Sequence, residues 1–132
     1  MLFYLKERDL DFYNACERIR EVNGNKHLSI SELSEMAIHT PAESFYLLPK
    51  ECLKIISRAI NGEQIRLAHN SKNELHKEIR KRYFSLIAEQ PDLKPYQAAK
   101  IISTQDAPRF YISKSRARDI YYKMINTRKI SF

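Results

Sequence analysis

The phrase AESFYLLPKECLKIISRAIN at residues 42–61 returns sixty-five residues later as APRFYISKSRARDIYYKMIN at residues 107–126. Identities fall at Ala42/Ala107, Phe45/Phe110, Tyr46/Tyr111, Ile55/Ile120, Ile60/Ile125 and Asn61/Asn126. The conservative pairs Leu47/Ile112, Met36/Ile101 and Leu28/Leu93 extend the offset backwards. Such self-similarity marks an internal repeat, so whatever one half folds into, the other is expected to match. Residues 28–61 and 93–126 are accordingly expected to superimpose as helix, connector and helix.

Each copy reads as three helices. With only 2 glycines in 132 residues, loop-rich folds and glycine-rich phosphate loops are disfavoured, and the plentiful Ala, Leu, Ile, Lys, Arg and Glu suit helices. In the first copy a helix near residues 7–23 stops at Asn23-Gly24. A short one follows Ser29, where Ser29 and Glu32 have capping-box spacing, and ends around His39 to Pro41. A third starts at Pro49 and ends at Asn61-Gly62. In the second copy Ser71 and Glu74 suggest another capping box, opening a helix that runs to about Glu89. Pro95 starts a short helix, and Ser113 is placed to cap the last one, from Lys114 to about Asn126. The stretch TQDAPRFYI between them is too extended for a tight turn and suits a short β-like arm with Phe110 or Tyr111 turned inward.

The last helix carries Ala117, Ile120, Tyr121, Met124 and Ile125 at the spacing of one buried stripe, matched by Cys52, Ile55, Ile56, Ala59 and Ile60. The fold expected is all-α, with two pseudo-repeated three-helix units, residues 1–65 and 66–132, packed into one compact body. Cys16 and Cys52 lie in apolar surroundings and read as buried reduced thiols of a cytoplasmic protein. The N-terminus has neither the basic start nor the apolar length of a signal peptide or a membrane span.

Charge separates the copies. Residues 1–65 hold 8 Lys and Arg against 10 Asp and Glu, whereas residues 66–132 hold 15 against 6. A basic half beside a mildly acidic one points to an anionic partner, with nucleic acid the commonest. In a helix-turn-helix arrangement, one helix packs across another and offers the outer side of its N-terminal half to the major groove. The residues in that position are Lys114, Ser115, Arg116, Arg118 and Tyr122, with Arg109 and Tyr111 just before them. Arg meets guanine edges or phosphates in bidentate fashion, and Lys and Ser suit phosphates. The first copy has Ser44, Pro49, Lys50, Glu51 and Leu53 at the equivalent places, a set better suited to packing. Lys77, Arg80 and Lys81 cluster on the helix before the short one and add to the basic surface, while Phe84 falls off that helix's apolar face.

The segment APRFYISKSRA resembles a phrase found in small proteins of phages and other mobile elements, and the helix order resembles that of generic helix-turn-helix regulators. The resemblance spans residues 93–126 and implies a context without a mechanism. Enzyme signatures are missing from the sequence: no Gly-x-Ser-x-Gly, His-Glu-x-x-His, Cys-x-x-Cys or P-loop pattern occurs. His27, His39, His69 and His76 have no recognised metal-ligand spacing, so neither metal nor cofactor is expected. The chain is too short for a tyrosine recombinase domain and lacks its His-x-x-Arg element. The expected partner is double-stranded DNA, which suits the helix order better than RNA or single strands. The alternative is a helical interaction or structural module whose basic face meets an acidic protein surface. The N-terminal unit is the place for a second copy or a protein partner.

Overall fold

Helix boundaries follow the local chemistry of the chain. The computed structural model describes residues 3–24, 27–63 and 70–130. Within them lie α1 (Phe3–Val22), α2 (Ile30–Ile38), α3 (Pro49–Ile60), α4 (Asn70–Glu89), α5 (Pro95–Ser103) and α6 (Lys114–Ile130). Prolines start α3 and α5, where a missing N–H leaves no hydrogen bond unmade. Gly24 and Gly62, with φ of 61° and 71°, let the chain leave α1 and α3 through the left-handed region. Ser71 is inside α4, not a cap, because the helix already includes Asn70; residues 64–69, His69 among them, lie outside the described residues.

The chain divides into two units, and the division is not at the middle of the sequence. One unit comprises residues 1–43 and 106–132, the other residues 44–105. In the first, α6 packs on α1 and α2; in the second, α3 packs on α4 and α5. The third helix of each copy therefore leaves its own half. This corrects two expectations: the units are not residues 1–65 and 66–132, and α6 does not pack across α5 as in a contiguous helix-turn-helix. Residues 39–48 and 104–113, ten in each connector, give α3 and α6 enough reach to pack outside their own halves.

The connector anchors belong to the first unit. Ala42 and Ala107, matched in the repeat, pair with each other in an antiparallel bridge whose two N–H···O hydrogen bonds are each 3.0 Å. The Phe110 N–H donates to the Ile38 carbonyl at 2.9 Å, and the Glu43 N–H donates to the Asp11 carboxylate at 3.0 Å. Phe110, fully inward as the arm reading requires, meets Phe12 edge to face at 5.3 Å between ring centres. Tyr111 stays half-buried. In the second unit Phe45 is buried under the Arg82 guanidinium, 4.7 Å from the ring centre, and Arg82 also donates to Gln105 at 3.0 Å. The two connectors differ at Tyr46, whose φ of 56° has no counterpart at Tyr111. A non-glycine residue in that region costs about 1–2 kcal/mol, met in part by the Tyr46 N–H donating to the Ser44 hydroxyl at 3.0 Å.

Both stripes are buried as their spacing requires. Ala117, Ile120 and Tyr121 are closed to solvent in the first unit, as are Cys52, Ile55, Ile56 and Ala59 in the second. Ile60, the last residue of α3, is an exception at 49% exposed. Met124 and Ile125 are half-buried. Cys16 and Cys52 are free and buried, and burial pushes their thiols up to about 12 and about 11.

Two outcomes follow from this packing. Ile120→Ala and Ile55→Ala should each lower the unfolding free energy by about 2–5 kcal/mol in urea titrations, through lost burial and an unfilled cavity. His76, on α4, is held below its ordinary value first by burial and then by the charges of Arg58 and Lys72. The unfolded chain binds that proton more readily, so the contribution of His76 is complete above about pH 6.5 and is lost as pH falls below it. Melting temperatures followed across that range should lose this part of their pH dependence in His76→Gln.

Candidate nucleic-acid interface

Helix starts leave backbone N–H groups without partners, and this chain satisfies them in a recurrent way. At α2 the Glu32 carboxylate accepts from the Ser29 N–H at 3.3 Å; at α3 the Glu51 carboxylate accepts from the Leu48 N–H at 2.9 Å; at α5 the Gln97 carboxamide accepts from the Lys94 N–H at 2.9 Å. The residue in the same place of α6 is Arg116, which cannot accept. There the Ser113 hydroxyl accepts from the Arg116 N–H at 3.2 Å, and the first turn of α6 contains no acidic residue of its own. The opening turn of α6 thus carries cations at its positive dipole end where α2 and α3 carry a glutamate.

Seven of the ten residues expected to meet nucleic acid belong to this unit. Lys114, Ser115, Arg116, Arg118 and Tyr122 are all exposed on α6, whereas Ala117, Ile120 and Tyr121 are buried. Asp119 is the one carboxylate in the α6 sequence and is also exposed. Lys114 Nζ lies 2.8 Å from Glu35 of α2, and this hydrogen bond and charge hold the Glu35 carboxyl below its usual range. The pair is open to solvent, so it is weak and an anion can compete for the lysine. Arg109 and Tyr111 lie half-buried in the connector, the guanidinium 5.6 Å from the ring centre, and Arg109 also donates to the Phe110 carbonyl at 3.4 Å.

The other three, Lys77, Arg80 and Lys81, lie on α4 in the second unit, with Lys77 and Lys81 exposed and Arg80 half-buried. The packing therefore distributes the basic residues differently from the sequence halves. The unit holding α6 has 12 Lys and Arg against 10 Asp and Glu; the unit holding α4 has 11 against 6.

A polar cluster that sequence reading missed sets the rotation of α6. The Tyr121 hydroxyl donates to Glu17 at 3.0 Å and accepts from Arg20, while its ring stacks on Tyr13 at 5.6 Å. Burial, then the Glu17 carboxylate, pushes the Tyr121 hydroxyl above its ordinary value, so it stays protonated as a donor. The only sequence signal was a tyrosine in an otherwise aliphatic stripe. Among the described residues no group of His, Cys, Asp and Glu is arranged to hold a metal ion, and no helix is long and apolar enough to cross a membrane.

Comparison of the chain with protein families, curated proteins and solved structures returns no match.

The capping difference makes a separable prediction. Arg116→Glu restores the carboxylate that α2 and α3 carry and favours the helix dipole, so it should leave stability unchanged or raise it by about 0.3–1 kcal/mol in thermal or urea melts. A marked loss of stability instead would show that Arg116 holds the fold.

Proposed function

We propose that the chain binds double-stranded DNA without catalysing a reaction, using the exposed N-terminal half of α6. The observation that carries this reading is the replacement at the α6 start: Glu51 of α3 gives way to Arg116, and Ser113 takes over the cap. A helix that gives up a stabilising carboxylate for a cation at its positive end favours an anionic ligand there. Ser115, Arg118 and Tyr122 extend the exposed surface along the next turns, and Tyr121 fixes which way that surface faces. Affinity would come mainly from phosphate neutralisation, with Arg116 and Arg118 available to guanine edges.

The same reading treats the two halves as copies of one three-helix design whose last helices are exchanged. Its support is the spacing of the elements: α2 and α5 are both 9 residues long and start sixty-five residues apart, as do α3 and α6. The recognition helix is then α6, packed on α2 and α1 and joined to α5 by a connector longer than the turn of a helix-turn-helix.

The test is a duplex titration at several salt concentrations. Arg116→Ala and Arg118→Ala should each weaken binding and lower the slope of log affinity against log salt by about 0.9 for every phosphate that the variant no longer neutralises. Lys50→Ala and Lys54→Ala, at the start of α3, should change neither. Absence of any duplex binding by the unaltered protein at low salt would refute the proposal and turn attention to an acidic protein partner.

A further inference from the structure

The α4 surface carries a feature that the α6 reading does not use. Lys77, Lys81, Phe84 and Ala88 recur at helical spacing along one face, and all four are exposed. Phe84 is 44% exposed, with Tyr83 lying edge-on to its ring at 5.4 Å between centres. At about 100° per residue, Arg80 flanks this face on one side and Glu74 borders it on the other, about 60° round from Lys77. Glu78 is turned further away and accepts from Arg82 at 2.8 Å, and Glu89 lies still further round. The face itself thus presents cations around an open aromatic ring.

From this face we infer a second binding site, for single-stranded nucleic acid, in which a base stacks on Phe84 and its neighbouring phosphates meet Lys77 and Lys81. Charge complementarity selects the occupant: a polyanion with flat apolar faces matches an aromatic ring beside two cations, and stacking tolerates any base. A protein interface fits less well, since one phenylalanine among charged residues supplies little of the apolar centre that a partner of about 800 Å² per side needs. A duplex fits less well too, because its bases are stacked on one another and present only edges to a helix. The site stands independently of duplex binding by α6, and its failure is read on different variants and a different probe.

The sequence contains no tryptophan, which makes the site directly observable. Phe84→Trp places a single indole at the proposed stacking position. Short oligothymidylate should quench its fluorescence, with affinity equal to or above that of the unaltered protein. Phe84→Ala should weaken oligothymidylate binding by about 5- to 150-fold while leaving the circular dichroism melt and duplex binding unchanged. Lys77→Gln with Lys81→Gln should lower the single-strand salt slope by about 0.7 for each phosphate left unneutralised. The inference is overturned if Phe84→Ala binds oligothymidylate as the unaltered protein does, or if the indole signal ignores the oligonucleotide. It is equally overturned if polyglutamate quenches that signal as well as the oligonucleotide does, which would make the face a dock for acidic protein.

Discussion

Two backbone hydrogen bonds between Ala42 and Ala107 decide where the basic helix goes. They join the two connectors at the fourth residue of each, and within the unit of α1, α2 and α6 the chain then runs from Ala107 through the buried Phe110 to Lys114. Buried backbone polar groups have to be paired, and here the partners are another connector and the end of α2. The two residues are alanines, 3% and 2% exposed, and this lack of free surface around both favours small side chains there.

The packing of α6 on residues 1–43 also shapes the electrostatics. Residues 1–43 are acidic on balance, with 8 Asp and Glu against 5 Lys and Arg, and it is on them that the cationic α6 packs. Lys114 beside Glu35 and Arg20 with Glu17 around Tyr121 are the local results. An acidic base under a basic helix limits the self-repulsion that a wholly cationic lobe would suffer, and leaves the outward face of α6 to attract anions. The unit of α3, α4 and α5 lacks such an acidic counterpart and keeps a surplus of cations.

The helices themselves were legible because their signals are local. Pro49, Pro95, Ser29, Ser113, Gly24 and Gly62 each mark a terminus by a backbone constraint that needs no knowledge of the rest of the chain. The stripes of α3 and α6 were legible for the same reason, apart from the exposed Ile60 and the half-buried Met124 and Ile125 towards the helix ends. The pairing of α6 with α1 and α2, and of α3 with α4 and α5, was not, because a stripe such as Ala117, Ile120 and Tyr121 specifies that a helix is covered and says nothing of which helices cover it. The exposed residues on α6 were identified from spacing, yet the capping role of Glu51, and hence the meaning of Arg116, became visible only when hydrogen bonds at four helix starts were compared. The Glu35 and Glu17 partners are on helices distant in sequence from α6, beyond the reach of any spacing argument.

The discontinuity of the first unit bears on the order in which the chain acquires its structure. Residues 44–105 form a continuous unit, complete before α6 has been synthesised, whereas α1 and α2 have to wait for the last helix in the sequence. Pairings that join distant parts of a chain form slowly unless the intervening loop is first shortened, and folding of the continuous unit provides that shortening. During the wait α1 and α2 lack the helix that packs on both, and Phe12, closed to solvent in the finished fold, lacks the Phe110 ring that meets it. A chain that stops short of residue 114 would retain a foldable middle and an open, sticky N-terminal pair of helices, and this makes the C-terminal helix the closing element of the molecule.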